Sequence, residues 1–167
     1  MMFAADLSAQ ASALINRCRA KDLRIATAES CTGGMVAALV TSIAGSSDVF
    51  EAGFVTYSNS AKTAMIGVPA DMIVQVGAVS AEVARAMASG ALAHSQAELS
   101  VAITGVAGPG GGSVAKPIGL VYLAAVSKGG AILERELRLG GIGRDAVRLA
   151  STEVAIAMLY ELAGRAP

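Results

Sequence analysis

Apolar residues recur along this chain with two different periods, and the alternation between them outlines its elements. Leu7, Ala11, Leu14, Ile15 and Cys18 lie three and four apart, which predicts an amphipathic helix ending near Lys21. Residues 24–28 are short and β-compatible and predict a strand, followed by a polar, glycine-bearing turn over 29–34. Residues 35–43 resume the apolar pattern as a buried helix closed by Gly45. Residues 53–57 read as a second strand, continued at once by the polar run 58–62. Ser80 is a good N-cap, with Glu82 in the first turn, for a helix running to about Ser95. Residues 99–104 are a third strand, ending in a glycine-rich loop over 106–116. Two further strands, 118–126 and 131–139, are joined by Lys128, Gly129 and Gly130 as a hairpin, so one strand pair is antiparallel. A helix over 144–162 closes the chain, with Val147, Val154, Met158 and Leu162 on one face.

This order predicts an α/β fold: a three-layer α/β/α sandwich around a mixed, mostly parallel sheet of about five strands, forming one domain over 1–167. Ligands of such sheets sit beyond the carboxyl ends of the strands. The strands ending at Ala28, Tyr57 and Thr104 all run into polar or glycine-rich turns, so the working surface belongs there.

Composition narrows the classes. Aromatic residues make up only 4% of the chain, so the core must be packed from small and aliphatic side chains. Thirteen basic residues balance thirteen acidic ones without long runs of either sign. Duplex binding needs many Lys and Arg contacts to phosphate, so nucleic acid is not an expected partner. A small phosphorylated ligand needs only one Arg and a few amides. No basic, apolar leader or membrane span is visible, and two cysteines are no disulfide framework, so the expected compartment is the cytoplasm, without a membrane partner.

Several motifs are excluded. The 105–113 loop lacks the Gly-Lys-Ser/Thr ending of a phosphate-binding P-loop, and Ser30 lacks the flanking glycines of a nucleophile elbow. The single histidine, His94, falls late in a helix away from every loop, which argues against a Ser-His-Asp triad. No cluster of metal-ligating types is present.

What remains is the segment from Thr27 to Gly34, which sets the hydroxyl of Ser30 and the thiol of Cys31 between a strand and a helix N-terminus. Free amides and the positive helix end there favour an anion, and Gly33 and Gly34 allow close approach of a ligand. Ser30 needs a base, and the candidates are Lys62, Glu29 and Tyr57. Lys62 serves if burial lowers its pKa, although a lone lysine is more often solvated. Glu29 either positions a substrate or caps the following helix. Cys31 is a rival nucleophile, and a small buried cysteine is its ordinary alternative. The run from Thr104 through Gly105 and Gly108 to Ser113 can wrap amides around a phosphate or ribose. Arg144 opens the last helix, where a cation is disfavoured, and so is a candidate anion binder.

Together these segments resemble the CinA C-terminal domain family. The resemblance rests on Thr27 to Gly34, Gly53 to Lys62, Gly77 to Ser80, Ile103 to Ser113 with Lys116 and Pro117, and Arg144 to Arg148, in that order. It implies a nicotinamide-nucleotide amidase that hydrolyses the carboxamide of nicotinamide mononucleotide, with Ser30 as nucleophile, Lys62 as base and Tyr57 beside them. It also implies that Glu29, Cys31, Thr32, Gly33, Gly34, Asn59, Thr104, Gly105, Gly108 and Arg144 surround a small-molecule nucleotide. No metal or other cofactor, a homodimer and a stand-alone form are expected on the same ground. Two departures touch the substrate loops: Gly110 and Gly143 stand where relatives often carry acidic residues. The alternatives are a nucleotide-binding module without turnover, with a regulatory role in competence or DNA damage, and a thiol enzyme using Cys31.

Overall fold

Strand β1 (Ile25–Glu29) is buried along its whole length, because it lies inside the sheet and carries no side chain larger than Ile or Glu. The computed structural model describes residues 2–166; Met1 and Pro167, the ends of the expected domain, lie outside the described residues. β1 pairs in parallel with β2 (Phe50–Val55) on one side and β3 (Leu99–Gly105) on the other. β4 (Leu120–Ser127) runs antiparallel to β3, and β5 (Ile132–Arg138) antiparallel to β4. The order is therefore β2-β1-β3-β4-β5, with four strands pointing one way and β4 reversed. Antiparallel pairing extends further than the expected hairpin, since the long glycine-rich loop returns β4 alongside β3.

The two faces of the sheet differ in side-chain size. Ala26, Ala28, Ala102 and Ala124 face α3 (Asn59–Ile66), α4 (Ala70–Val76) and α5 (Ala81–Ala93). Ile25, Val101, Ile103, Val121 and Leu123 face α1 (Ala5–Ala20), α2 (Met35–Thr41) and α6 (Arg144–Arg165). Each fully buried aliphatic side chain of the second face contributes roughly 1.5–3 kcal/mol. On the alanine face the helices sit low, and stability comes from close approach. Gly90 of α5 shows how close, since a Cβ there would overlap the carbonyl oxygen of Ile66 at the end of α3.

Two helices exceed the sequence expectation. α3 begins at Ser58, whose Oγ accepts from Ala61 N at 3.0 Å, and stops at Gly67 with φ +69°. Its inward positions are Lys62 and Ile66, so a charged residue interrupts the apolar period that would have revealed it. α4 packs on α5 mainly through Ile73. β2 begins three residues earlier than expected, and Glu51, which made that stretch look polar, pairs with Arg24 at 2.7 Å.

Substituting Gly90→Ala should destabilise the fold by roughly 1–3 kcal/mol, the usual cost of overpacking, despite alanine's better helix propensity. Urea unfolding checks this; an unchanged midpoint would contradict the close helix contact.

Candidate active site

The carboxyl ends of β1, β2 and β3 converge on one edge of the sheet, and the first of them carries Ser30. Glu29 immediately before it is fully buried. Its carboxylate accepts from Gly34 N (3.0 Å) and Val36 N (3.1 Å) through Oε2 and from Ala37 N (2.9 Å) through Oε1. Gly33 and Gly34, at φ +61° and +95°, let the chain turn sharply enough to bring those amides back over Glu29. The expected anion site at this helix end is thus occupied by the protein's own carboxylate, and Glu29 caps α2 rather than facing a ligand. The amides of Gly33 and Met35 are also taken, by Ser30 O and Thr32 O. Only the Cys31 and Thr32 amides of this turn are left to meet an oxyanion, a narrower set than the whole turn.

Lys62 reaches Ser30 from the first turns of α3. Its Nζ lies 3.1 Å from Ser30 Oγ, 2.9 Å from Thr56 O and 3.4 Å from Tyr57 O. Lys62 is 1% exposed and forms no ion pair among the described residues. Burial disfavours its charged form and pushes its pKa below the ordinary 10.5. As a neutral amine it can donate its two hydrogens to the two carbonyls and turn its lone pair to the Ser30 hydroxyl. That is the arrangement a general base requires.

Beside the pair lies a cavity of about 290 Å³, walled by Ser30, Cys31, Tyr57, Val79, Arg144 and the loop from Gly105 to Gly111. Arg144 crosses its mouth, donating from Nη1 to Gly108 O (2.9 Å) and from Nη2 to the Tyr57 hydroxyl (3.1 Å). It is the one charged side chain lining this cavity among the described residues. Tyr57 itself is 59% exposed and touches the pair through its carbonyl, not its hydroxyl.

Other expected site residues lie elsewhere. The Thr32 side chain is buried without a hydrogen-bond partner, outside the cavity lining. Gly33 and Gly34 line a separate depression with Asp145 and Arg148. Asn59 belongs to a groove between α3 and α4. Thr104 turns its hydroxyl to Ala78 O at 2.8 Å. Gly105 and Gly108 do line the cavity, as does Cys31. His94 ends α5, its Nδ1 2.9 Å from Gly90 O, well away from Ser30. Among the described residues no group of three or more His, Cys, Asp or Glu is placed to hold a metal.

Arg148 and Lys116 were legible only as members of a resembling motif, and sequence reasoning gave neither a role. Arg148 donates from Nε to Cys31 O (3.2 Å) and from Nη2 to Thr32 O (3.0 Å), gripping the turn after Ser30. A peptide whose carbonyl points to Arg148 turns the following N–H the opposite way. The spacing of Arg144 and Arg148, one helical turn apart, was the available signal.

The Cys31 thiol is pushed up to about 11, by burial first and then by the neighbouring Glu29 charge, and burial does the same to Cys18. At pH 8 the thiolate fraction is then about 100-fold below that of a free cysteine, so Cys31 is a poor nucleophile. Native protein should react with iodoacetamide at pH 8 at least about 100-fold more slowly than unfolded protein. A rapidly alkylated native Cys31 would reopen the thiol mechanism.

The family model described as the CinA C-terminal domain matches residues 7–163. A protein of Escherichia coli strain K12 named nicotinamide-nucleotide amidohydrolase PncC is 50% identical over 144 residues, which cover 86% of each chain. A CinA-like protein of Citrifermentans bemidjiense is 52% identical over 134 residues, 80% of this chain. This chain spans about a third (32%) of the length of that relative. The crystal structure of the competence/damage inducible protein CihA from Agrobacterium tumefaciens superposes with a TM-score of 0.96 at 48% identity, over 97% of this chain and 98% of that one. With its five-stranded sheet and the match along nearly its whole length, the chain belongs to the CinA C-terminal domain family.

Proposed function

We propose that this protein hydrolyses the carboxamide of nicotinamide mononucleotide to the carboxylate and ammonia, with Ser30 as nucleophile and Lys62 as base. The observation that carries the chemistry is the 3.1 Å contact between Lys62 Nζ and Ser30 Oγ, made by a buried lysine without a carboxylate partner. The substrate class is supported by the name of the E. coli relative and by Arg144, the one charged side chain in the cavity lining among the described residues. Gly110, in the cavity wall, and Gly143, next to Arg144, add no negative charge there, which suits a phosphate.

In the first half-reaction neutral Lys62 takes the Ser30 proton while Oγ attacks the carboxamide carbon. The oxyanion faces the Cys31 and Thr32 amides. The C–N bond then breaks, the Lys62 ammonium returns the proton to the leaving nitrogen, and ammonia departs from an ester at Ser30. In the second half Lys62 deprotonates water, which attacks the ester. The carboxylate leaves and Ser30 recovers its hydrogen. Tyr57 contributes its carbonyl to Lys62 and its hydroxyl to Arg144, a holding role on both sides.

Ser30→Ala and Lys62→Met should each lower kcat at least roughly a thousand-fold, as loss of a nucleophile or its base does elsewhere. Ammonia release from nicotinamide mononucleotide reads this directly. Nucleotide binding by wild type without any ammonia would favour the binding-module alternative instead.

The pH dependence follows from Lys62. Its neutral form is the active one, so kcat/KM should rise about tenfold per pH unit and level off at a pH below 10.5. Between the folded pKa and 10.5 the unfolded chain binds the extra proton, so stability also rises with pH there. That contribution disappears as pH falls through the folded value. Lys62→Met should remove both dependences, and a level rate profile in wild type would contradict the base assignment.

Arg144→Gln should raise KM for the nucleotide about 10–100-fold, the usual worth of one charged hydrogen bond, while leaving the nucleoside that lacks the phosphate nearly unaffected. Equal losses for both would place the phosphate elsewhere.

A further inference from the structure

Two segments singled out in the sequence, residues 77–80 and Lys116 with Pro117, have no part in the Ser30 chemistry, and in the fold they meet. Lys116 Nζ donates to Val76 O and Val79 O, each at 2.6 Å. Ser80 Oγ donates to Gly77 O at 2.9 Å, and Thr104 Oγ1 to Ala78 O at 2.8 Å. Every carbonyl from Val76 to Val79 therefore accepts from a side chain. Gly77 makes the arrangement possible: its φ is +80°, and a Cβ there would stand 2.6 Å from Lys116 Nζ.

The turn fixed in this way presents Val79 to the cavity. Lys116 sits at the far end of the glycine-rich loop, where Ser113 N donates to Lys116 O and Lys116 N to Ser113 Oγ. Between that anchor and β3 run Gly108, which packs on Ile118 and is held by Arg144, and then Gly110 and Gly111, which line the cavity with open space around them. A loop so rich in glycine loses much conformational entropy when it is ordered, so its anchors decide its shape. Hydrogen bonds from an ammonium to two carbonyls are of the strong, charge-assisted kind.

We propose that Lys116 is a positioning residue that clamps the 76–79 turn to the glycine-rich loop and so preforms the cavity wall opposite Ser30. Resting on the amidase reading, that wall receives the part of the nucleotide remote from the carboxamide. Ser30 and Lys62 are held by other contacts, so the clamp acts on substrate affinity and leaves the reacting pair alone.

Hydrogen exchange on the free protein tests the clamp without any substrate. Lys116→Met should speed exchange at least about tenfold in segments 77–80 and 105–112, with β1 and α3 unchanged, and Lys116→Arg should keep much of the protection. With nicotinamide mononucleotide, Lys116→Met should raise KM about tenfold, keep kcat within about threefold, and leave labelling of Ser30 by phenylmethanesulfonyl fluoride unchanged. The KM effects of Lys116→Met and Val79→Ala should fall short of additive, because one acts through the other. Unchanged exchange, exchange raised throughout the fold, an unchanged KM, or strict additivity would each overturn the clamp. A wild type that releases no ammonia would count against the amidase reading alone, and the exchange data would still decide the clamp.

Discussion

A lysine side chain buried with no ion pair among the described residues is the constraint around which this site is organised. Lys62 occupies a position that an aliphatic side chain would fill in an ordinary helix of this layer, one turn before Ile66. Among the described residues its amine hydrogen-bonds to two main-chain carbonyls and the Ser30 hydroxyl. Dipoles of that kind hold an amine in place without compensating a full charge, so burial lowers its pKa from the ordinary value. The fold gives up stability at that position in exchange for an amine next to a hydroxyl.

Everything nearby holds that pair still. Glu29 ties the chain after β1 to the first turn of α2, and Arg148 grips the same turn from α6. The turn after Ser30 is thus fastened on two sides by charged groups outside the cavity lining. Lys62 depends on α3, and α3 on the close contact of Ile66 with Gly90, which the alanine-lined face of the sheet permits. Small residues in the core therefore help set the distance between Lys62 and Ser30. Across the cavity, the glycine-rich loop and the 76–79 turn form the adaptable wall, and Arg144 joins it to Tyr57.

The strands, the long helices and the edge of the sheet that carries the site could be read from the apolar periods, because packing dictated those positions. α3 could not, since its inward face begins with a buried charged residue, Lys62. The same conflict between local pattern and global fold marks many working sites. Ser30 was visible from its place between a strand and two glycines. The roles of Thr32, Gly33, Gly34, Asn59 and Thr104 were not, since whether a loop residue faces the cavity or its back depends on turns no period reveals. Glu29 was ambiguous for a related reason: a carboxylate before a helix fits a cap and a ligand equally well, and only the three amide contacts decide. Arg148 and Lys116 act on main-chain carbonyls far away in sequence, which leave no mark on local composition.

The central claim is that burial lowers the Lys62 pKa and so suits it to act as the base for Ser30, and a direct titration of its side-chain nitrogen by heteronuclear NMR tests it most closely. With lysine labelled and Lys62→Met used to assign the signal, the account predicts a midpoint clearly below 10.5, the value of a solvated lysine. A midpoint at or above that value would mean that Lys62 stays charged at working pH, and Ser30 would then need another base.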